Sequence, residues 1–478
     1  MTLVHLTPES FDLETLFKEA FALDCDDIQE DAHGVKRHAP ESELEQGLPE
    51  SSVSGYQCDD SPTSDVLKKP RSQNSRNHDR RRAARQSQKE TGGRGVRGDV
   101  AMACASAQPI FSAEMNYVDL PVSSCGFHGK KAMKEEEKLD HELGGCTMEA
   151  LLEAGATILD WDGVTPEVVV DKSTGTPLVI LAGRPGDPTY VESATRAAIA
   201  ILEAGERANF EPSEHHHRRA DNSPALNVGV YYGGGGGKPK NLDNGKRASI
   251  LQGLIANPDV SRMAAFADVA FKLWSPLVYE DVKKTLDKLY THDPSLSKNW
   301  DANTYPCMAI NFGPRVRSKT HKDFGNAPQT LCAVQAVGFY DHTKGGHLYI
   351  KELNLLIPFP HGSSILLPSA LFTHSNTPVA HNEIRLSFTQ FVPGGLLRYV
   401  HNGFRTEEEI LRKSKREYRE KMAEKEGRWK RETANICTLE QLKAYYSPKE
   451  GAVPHNRHSG GHATAKRRES ESGEKVGA

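Results

Sequence analysis

Four residues near the middle of the chain have the types and the order that an oxidising metal centre needs. They are His321 and Asp323, two positions apart, then His374 about fifty residues on, then Arg385 eleven positions later. Two imidazoles and one carboxylate can take one face of an octahedral metal and leave the other positions open, which is the donor set of non-haem Fe(II) oxygenases. In an extended segment residues i and i+2 point to one side, so His321 and Asp323 can reach one ion while Lys322 faces away. The same alternation puts Arg385 and Ser387 on one side of a strand, where a planar guanidinium suits the distal carboxylate of a keto acid. His381-Asn382-Glu383 is a competing His-x-carboxylate pair. The run His215-His216-His217 is a weaker one, because adjacent side chains do not converge on one ion and Arg218 and Arg219 disfavour a cation.

Residues so far apart in sequence need strands to bring them together, and the chain supplies them. Runs at 308–312, 331–340, 347–350, 353–358, 363–367 and 385–392 are rich in strand-forming residues and separated by Gly, Pro, Asn and His turns. Ahead of them, 247–256, 262–274 and 279–290 read as amphipathic helices, with Pro258, Pro276 and Pro294 punctuating their ends. A helical layer followed by six closely spaced strands predicts an α+β fold, an antiparallel sandwich or jelly roll backed by helices.

The flanks follow from composition. Residues 1–112 are predicted to be mostly disordered: 10–23 could form one amphipathic helix, but 28–112 is rich in Ser, Asp, Glu, Arg, Gly and Gln, with few aromatics. Short strands at 156–161, 167–171 and 178–181 and a helical face from Val191 to Leu202 predict a small mixed α/β extension over 140–220, ahead of a catalytic domain at 221–405. A charged helix is expected from Thr406 to about Thr433, and Thr438 with Gln441 forms a capping box for one more helix inside 406–449; 450–478 reads as disordered.

Net charge of −4 conceals an acidic stretch at 24–31 and a basic one at 68–97. Lys68-Lys69 and Arg80-Arg81-Arg82 look like a bipartite nuclear localisation signal and would equally suit phosphate contacts. The eight cysteines contain no C-x-x-C pair, which argues against a zinc module and a disulfide framework. With no apolar run near the length of a membrane span and no signal peptide, a soluble, unsecreted protein is expected. The glycine run 233–237 is no P-loop, since Tyr232 stands where the first Gly should be and Pro239 where Ser or Thr should be. With Lys238 and Lys240 it is either a nucleic-acid contact or a plain solvated loop.

The motifs also carry a family resemblance. His321-Lys-Asp-Phe-Gly-Asn326, Gly345-Gly346-His347-Leu348, Pro368-Ser-Ala-Leu-Phe-Thr-His-Ser-Asn-Thr-Pro378 and Arg385-Leu-Ser-Phe-Thr-Gln-Phe391 together resemble TET/JBP-type Fe(II)- and 2-oxoglutarate-dependent dioxygenases of basidiomycete fungi, a set often associated with KDZ transposons. The likeness covers about 225–405 and is weaker over 150–220. It implies a double-stranded β-helix (jelly-roll) core with flanking helices and the cofactors Fe(II), 2-oxoglutarate and O2. The implied reaction takes 5-methylcytosine in DNA to 5-hydroxymethylcytosine and onward.

Residue by residue, the resemblance makes His321, Asp323 and His374 the catalytic iron ligands and Arg385, beside Ser387, the keto-acid anchor. Asn326 falls on the Asn that hydrogen-bonds a flipped base, flipping being needed because a methyl inside a duplex cannot reach a buried iron. Two features depart from animal relatives: Phe388-Thr389-Gln390-Phe391 stands where a base-contacting His follows the Arg strand, and there is no cysteine-rich zinc extension. The alternatives are an oxygenase acting on N6-methyladenine, RNA or a protein side chain, and a transposon-associated DNA-binding protein with an inactive oxygenase scaffold. Intact residues at all three ligand positions argue against the second.

Overall fold

The computed structural model describes residues 96–131 and 146–447, apart from 218, 221, 234 and 235. The stretch 10–23, both N-terminal basic clusters and the tail from 450 lie outside the described residues. In chain order the strands are β1 (Phe111–Ala113), β2 (Thr157–Ile158), β3 (Glu167–Asp171), β4 (Pro177–Gly183), β5 (Ala225–Tyr231), β6 (Lys240–Asn241), β7 (Cys307–Asn311), β8 (Cys332–Phe339), β9 (Leu348–Ile350), β10 (Leu355–Ile357), β11 (Ser364–Leu367), β12 (His374–Asn376) and β13 (Ile384–Phe391). They form a nine-stranded sheet ordered β1-β3-β4-β11-β8-β13-β7-β5-β6 and a four-stranded sheet ordered β12-β9-β10-β2.

From β7 onward the chain passes back and forth between the two sheets. β7, β8, β11 and β13 lie in the large sheet and pair antiparallel, while β9, β10 and β12 lie in the small one. The strand period of two explains how one sequence serves both faces of β13. Ile384, Leu386 and Phe388 are buried with Val337, Met308 and Ile310 against Ala194, Ala197, Ala198 and Ile201 of the helix Pro188–Ala208. The alternate residues Arg385, Ser387 and Thr389 line a cavity. Between the sheets, Ile365, Leu367 and Ala336 pack with Leu348, Ile350, Leu355 and Ile357.

The helix Pro188–Ala208 backs the large sheet because its alanines let it approach closely. It begins where the Asp187 carboxylate accepts from Thr189 N, has Pro at its first position and ends on Asn209 at φ 45°. Pro258 and Pro276 open the helices Pro258–Trp274 and Pro276–His292 instead of closing the ones before them, since a missing N–H costs nothing in a first turn. No helix among the described residues is long and apolar enough to cross a membrane.

Three expectations need revision. The expectation of disorder over 28–112 extends too far: Gly98–Ser106 is a helix that buries Ala101, Cys104 and Ala105, and Phe111–Ala113 pairs with β3. The strands of 140–220 are continuous with the sheets of 221–405, since β4 pairs with β11 and β2 with β10. The charged segment after Thr406 is three helices, Glu407–Lys413, Lys415–Lys425 and Arg428–Thr433. Ser414 leaves the helical region to cap the second through Glu417 N, and Gly427 at φ 69° precedes the third.

Candidate metal centre

His321 and His374 face each other across an antiparallel bridge. His321 N donates to His374 O at 3.0 Å and His374 N to His321 O at 2.9 Å, which sets the two rings 4.4 Å apart. The 316–321 segment lacks a regular ladder, and the Asn376 side chain stands in for one: its oxygen accepts from Ser318 N at 2.8 Å and its amide donates to Val316 O at 3.2 Å. Asp323 N donates to Ser369 O at 2.9 Å, which brings its carboxylate under both imidazoles. The candidate ligand atoms of His321, Asp323 and His374 all lie within 4.8 Å of one another.

Each histidine has its Nδ1 against a backbone carbonyl, His321 on Lys319 O at 2.7 Å and His374 on Phe372 O at 2.9 Å. A carbonyl only accepts, so Nδ1 carries the proton and Nε2 presents its lone pair toward Asp323. His321 Nε2 is 3.7 Å and His374 Nε2 3.9 Å from the carboxylate. Burial pushes the His321 pKa down, and the neighbouring His374 adds to it. Burial alone would raise the Asp323 pKa, but the Arg219 guanidinium beside it outweighs that and holds the carboxyl below the usual range. A neutral imidazole and an ionised carboxylate are the states that a divalent cation needs.

A second layer pins these segments. Lys322 points away from the site, and its ammonium lies 3.0 Å from Glu352. Glu352 in turn accepts from Thr373 N at 2.8 Å and from Thr373 Oγ1 at 2.7 Å, so one carboxylate ties the His321-Lys322-Asp323 segment to the residue before His374. The sequence reading missed this link, and no local signal connects Lys322, Glu352 and Thr373.

Arg385 lines the same cavity as the three ligands and is 3% exposed. Its Nη1 donates to Val316 O at 3.2 Å, its Nε has no acceptor, and no carboxylate pairs with it among the described residues. The rings of Tyr340 and Phe359 each lie 5.9 Å from the guanidinium and shield it from water. Gly346 makes room for it, since a Cβ there would come within 3.0 Å of Arg385 Cδ and the φ of 75° disfavours any other residue. A buried cation without an anion is costly unless a ligand supplies one, and a small dicarboxylate would. Ser387 lines the wall beside it and accepts from Asn311 Nδ2 at 3.1 Å.

The remaining candidates lie apart or on the rim. Asn326 is buried but is not among the residues lining the cavity, and its amide donates to Ser369 Oγ at 3.0 Å. His381 and Glu383 stay out of the cluster, Glu383 accepting from Ala380 N and Asp341 N instead. His215 packs edge-on to Phe210, and of the three consecutive histidines His217 alone lines the cavity. Arg219, which the sequence reading set aside, also lines it. Its Nη2 lies 2.6 Å from Asp323 Oδ1, close enough for an ion pair though not aligned as a hydrogen bond.

No protein-family profile and no curated protein matches the chain. Among solved structures it is similar to NgTET1 in complex with 5mC DNA, at 14% identity and a TM-score of 0.29, covering 55% of this chain and 88% of that one. It is also similar to a dioxygenase for auxin oxidation in rice, at 13% identity and a TM-score of 0.24, covering 57% and 83%. The chemistry of the site stands on its own side chains.

Proposed function

We propose that the chain is an Fe(II)- and 2-oxoglutarate-dependent dioxygenase on a jelly-roll core that oxidises 5-methylcytosine in DNA to 5-hydroxymethylcytosine and onward. One observation carries the reading: a His-Asp-His cluster and a buried guanidinium without an acid share one cavity. The back-and-forth path of β7 to β13 supports the jelly roll. The likeness of 321–326 to the TET/JBP pattern supports a nucleobase substrate. The basic clusters at 68–69 and 80–82 support a nuclear location.

When bound, Fe(II) with 2-oxoglutarate and O2 supplies the oxidant for hydroxylating a C–H bond. The chain's task is positioning. His321 and His374 offer Nε2 and Asp323 its carboxylate to the metal. Arg385 takes the distal carboxylate of the keto acid through a charge-assisted pair, with the Ser387 hydroxyl beside it. Phe359 and Tyr340 keep that end dry, which strengthens the pair.

One observation favours a different substrate within the same enzyme class. The Asn326 amide donates to Ser369, braces the residue that holds Asp323 and does not line the cavity, which favours N6-methyladenine, RNA or a protein side chain as the second reading. Nucleoside mass spectrometry decides between them. Iron-loaded protein with 2-oxoglutarate, oxygen and a duplex bearing both 5-methylcytosine and N6-methyladenine is expected to yield 5-hydroxymethylcytosine, and His321→Ala none. Succinate formed without a modified cytosine would sink the substrate and keep the class.

A further inference from the structure

A groove of about 660 Å3 runs along the helix Pro276–His292, and it shares no lining residue with the metal cavity. Lys284, Lys288 and His292 line it at i, i+4 and i+8, and therefore as one stripe. The acids among them are engaged by other lysines: Asp287 pairs with Lys283 at 2.7 Å and Lys298 at 3.0 Å, and Glu280 with Lys272 at 3.2 Å. Lys284 and Lys288 are exposed and have no carboxylate partner among the described residues, so the stripe keeps a surplus of positive charge.

The stripe ends on a flat aromatic pair. His292 stacks on Phe404 with ring centroids 3.8 Å apart and planes 8° from parallel. Phe404 holds φ 61°, a region that bulky residues rarely adopt, so the surrounding structure keeps the ring in place against the backbone's preference. Beyond Phe404, Tyr399 and Tyr232 line a smaller hollow with Arg398. At this same end, Asn241 Nδ2 donates to Ser295 O at 2.8 Å, which brings the exposed Lys238 and Lys240 of the glycine-rich loop beside the last turn of the helix.

We infer that this face docks a single-stranded stretch of nucleic acid, with phosphates on Lys284, Lys288 and Lys238 and one unpaired base stacked on the His292–Phe404 pair. Unpaired cations alone would suit any polyanion. The exposed His292 ring at the end of the stripe, backed by Phe404, selects for a base, because every nucleobase has a face to stack and a run of glutamates has none. The inference rests on the nucleic-acid reading proposed above and adds a contact surface outside the catalytic cavity.

The test is fluorescence anisotropy with metal-free, full-length protein and no keto acid, using a labelled oligonucleotide as single strand and as duplex, and labelled poly-glutamate. Replacing both Lys284→Ala and Lys288→Ala is expected to weaken single-strand binding about tenfold and to lower the slope of log affinity against log salt by about 1.4, roughly 0.7 per phosphate contact. Phe404→Leu is expected to weaken the single strand about tenfold and leave the duplex unchanged. Single-strand binding equal to the parent's in either variant overturns the inference, as does a lysine variant that loses poly-glutamate and oligonucleotide alike while Phe404→Leu does nothing. Docking is read without metal and oxidation in the separate iron-loaded assay, so intact docking with no oxidation there would count against the dioxygenase alone, and oxidation there without docking against this surface alone.

Discussion

The two ends of the central cavity are built differently. At one end the candidate ligands sit on short, irregular segments at the edge of the small sheet: β12 spans three residues, and 316–321 joins it through one bridge, a single further backbone bond from Asn376 N to Ser318 O and the Asn376 side chain. At the other end Arg385 and Ser387 sit on an eight-residue strand paired on both sides, with β8 and with β7. A ladder places a side chain through the backbone and tolerates changes nearby. A short edge segment depends on particular side-chain partners, here Glu352, Lys322 and Ser369. The His-Asp-His end should therefore be sensitive to changes in these supporting side chains, and the Arg385 end less so.

The largest effect separates the ends directly. Asp323→Ala removes the only carboxylate of the cluster and should abolish both metal binding and succinate formation. Arg385→Met should leave metal affinity as it is and raise the KM for 2-oxoglutarate by about 30- to 150-fold, the loss of roughly 2–3 kcal/mol from a charge-assisted pair. The same change should not lower the melting temperature of the metal-free protein, because it deletes a buried charge that has no anionic partner. A matching loss of metal affinity in Arg385→Met would erase the distinction between the two ends.

A smaller effect sharpens it. Glu352→Gln keeps the shape but weakens the hold on Lys322 and Thr373, and should loosen metal binding about tenfold with little change in the keto-acid KM at saturating metal. An unchanged metal affinity, measured by competition with a chelator, would show that the edge segments hold themselves.

The smallest effect is on stability against pH. His347 and His361 are held down to about 4, chiefly by burial, with His342 and Arg385 adding to it for the first and Arg184 for the second. His361 Nδ1 accepts from Gly338 N at 3.1 Å, which fixes a neutral ring against β8. Below about pH 6.5 the unfolded chain takes up protons that these folded sites refuse. Stability is thus full above 6.5 and falls as pH drops toward 4, by up to roughly 3 kcal/mol per histidine. Thermal melts of metal-free protein should show this decline, and His361→Gln should flatten part of it; a flat profile in the parent protein would contradict the buried neutral assignments.

The chemistry of the centre was more legible than its support, for a physical reason. His321, Asp323, His374 and Arg385 have the side-chain types that a metal and a carboxylate would require, and alternation along β13 places Arg385 and Ser387 on one face whatever surrounds them. Long apolar strands such as β8 were visible for the same reason. β12 was not, because His374-Ser375-Asn376 is too short and too polar to carry a period, and its pairing comes from the segment across from it. The helix Gly98–Ser106 was hidden by the composition around it, and its small apolar face pays off only against the distant helix Leu439–Tyr446. Arg219 looked like a reason against a cation, yet it reaches Asp323 from about a hundred residues away, a contact that only the fold can create.

The most direct test of the central claim is calorimetric titration of 2-oxoglutarate, without oxygen, into metal-free and Fe(II)-loaded protein. If one cavity holds the metal and the keto acid together, the loaded protein binds 2-oxoglutarate far more tightly than the metal-free one, Arg385→Met loses most of that affinity, and Asp323→Ala gains nothing from added metal. Equal binding with and without metal, or metal-enhanced binding that survives in Asp323→Ala, would contradict the site.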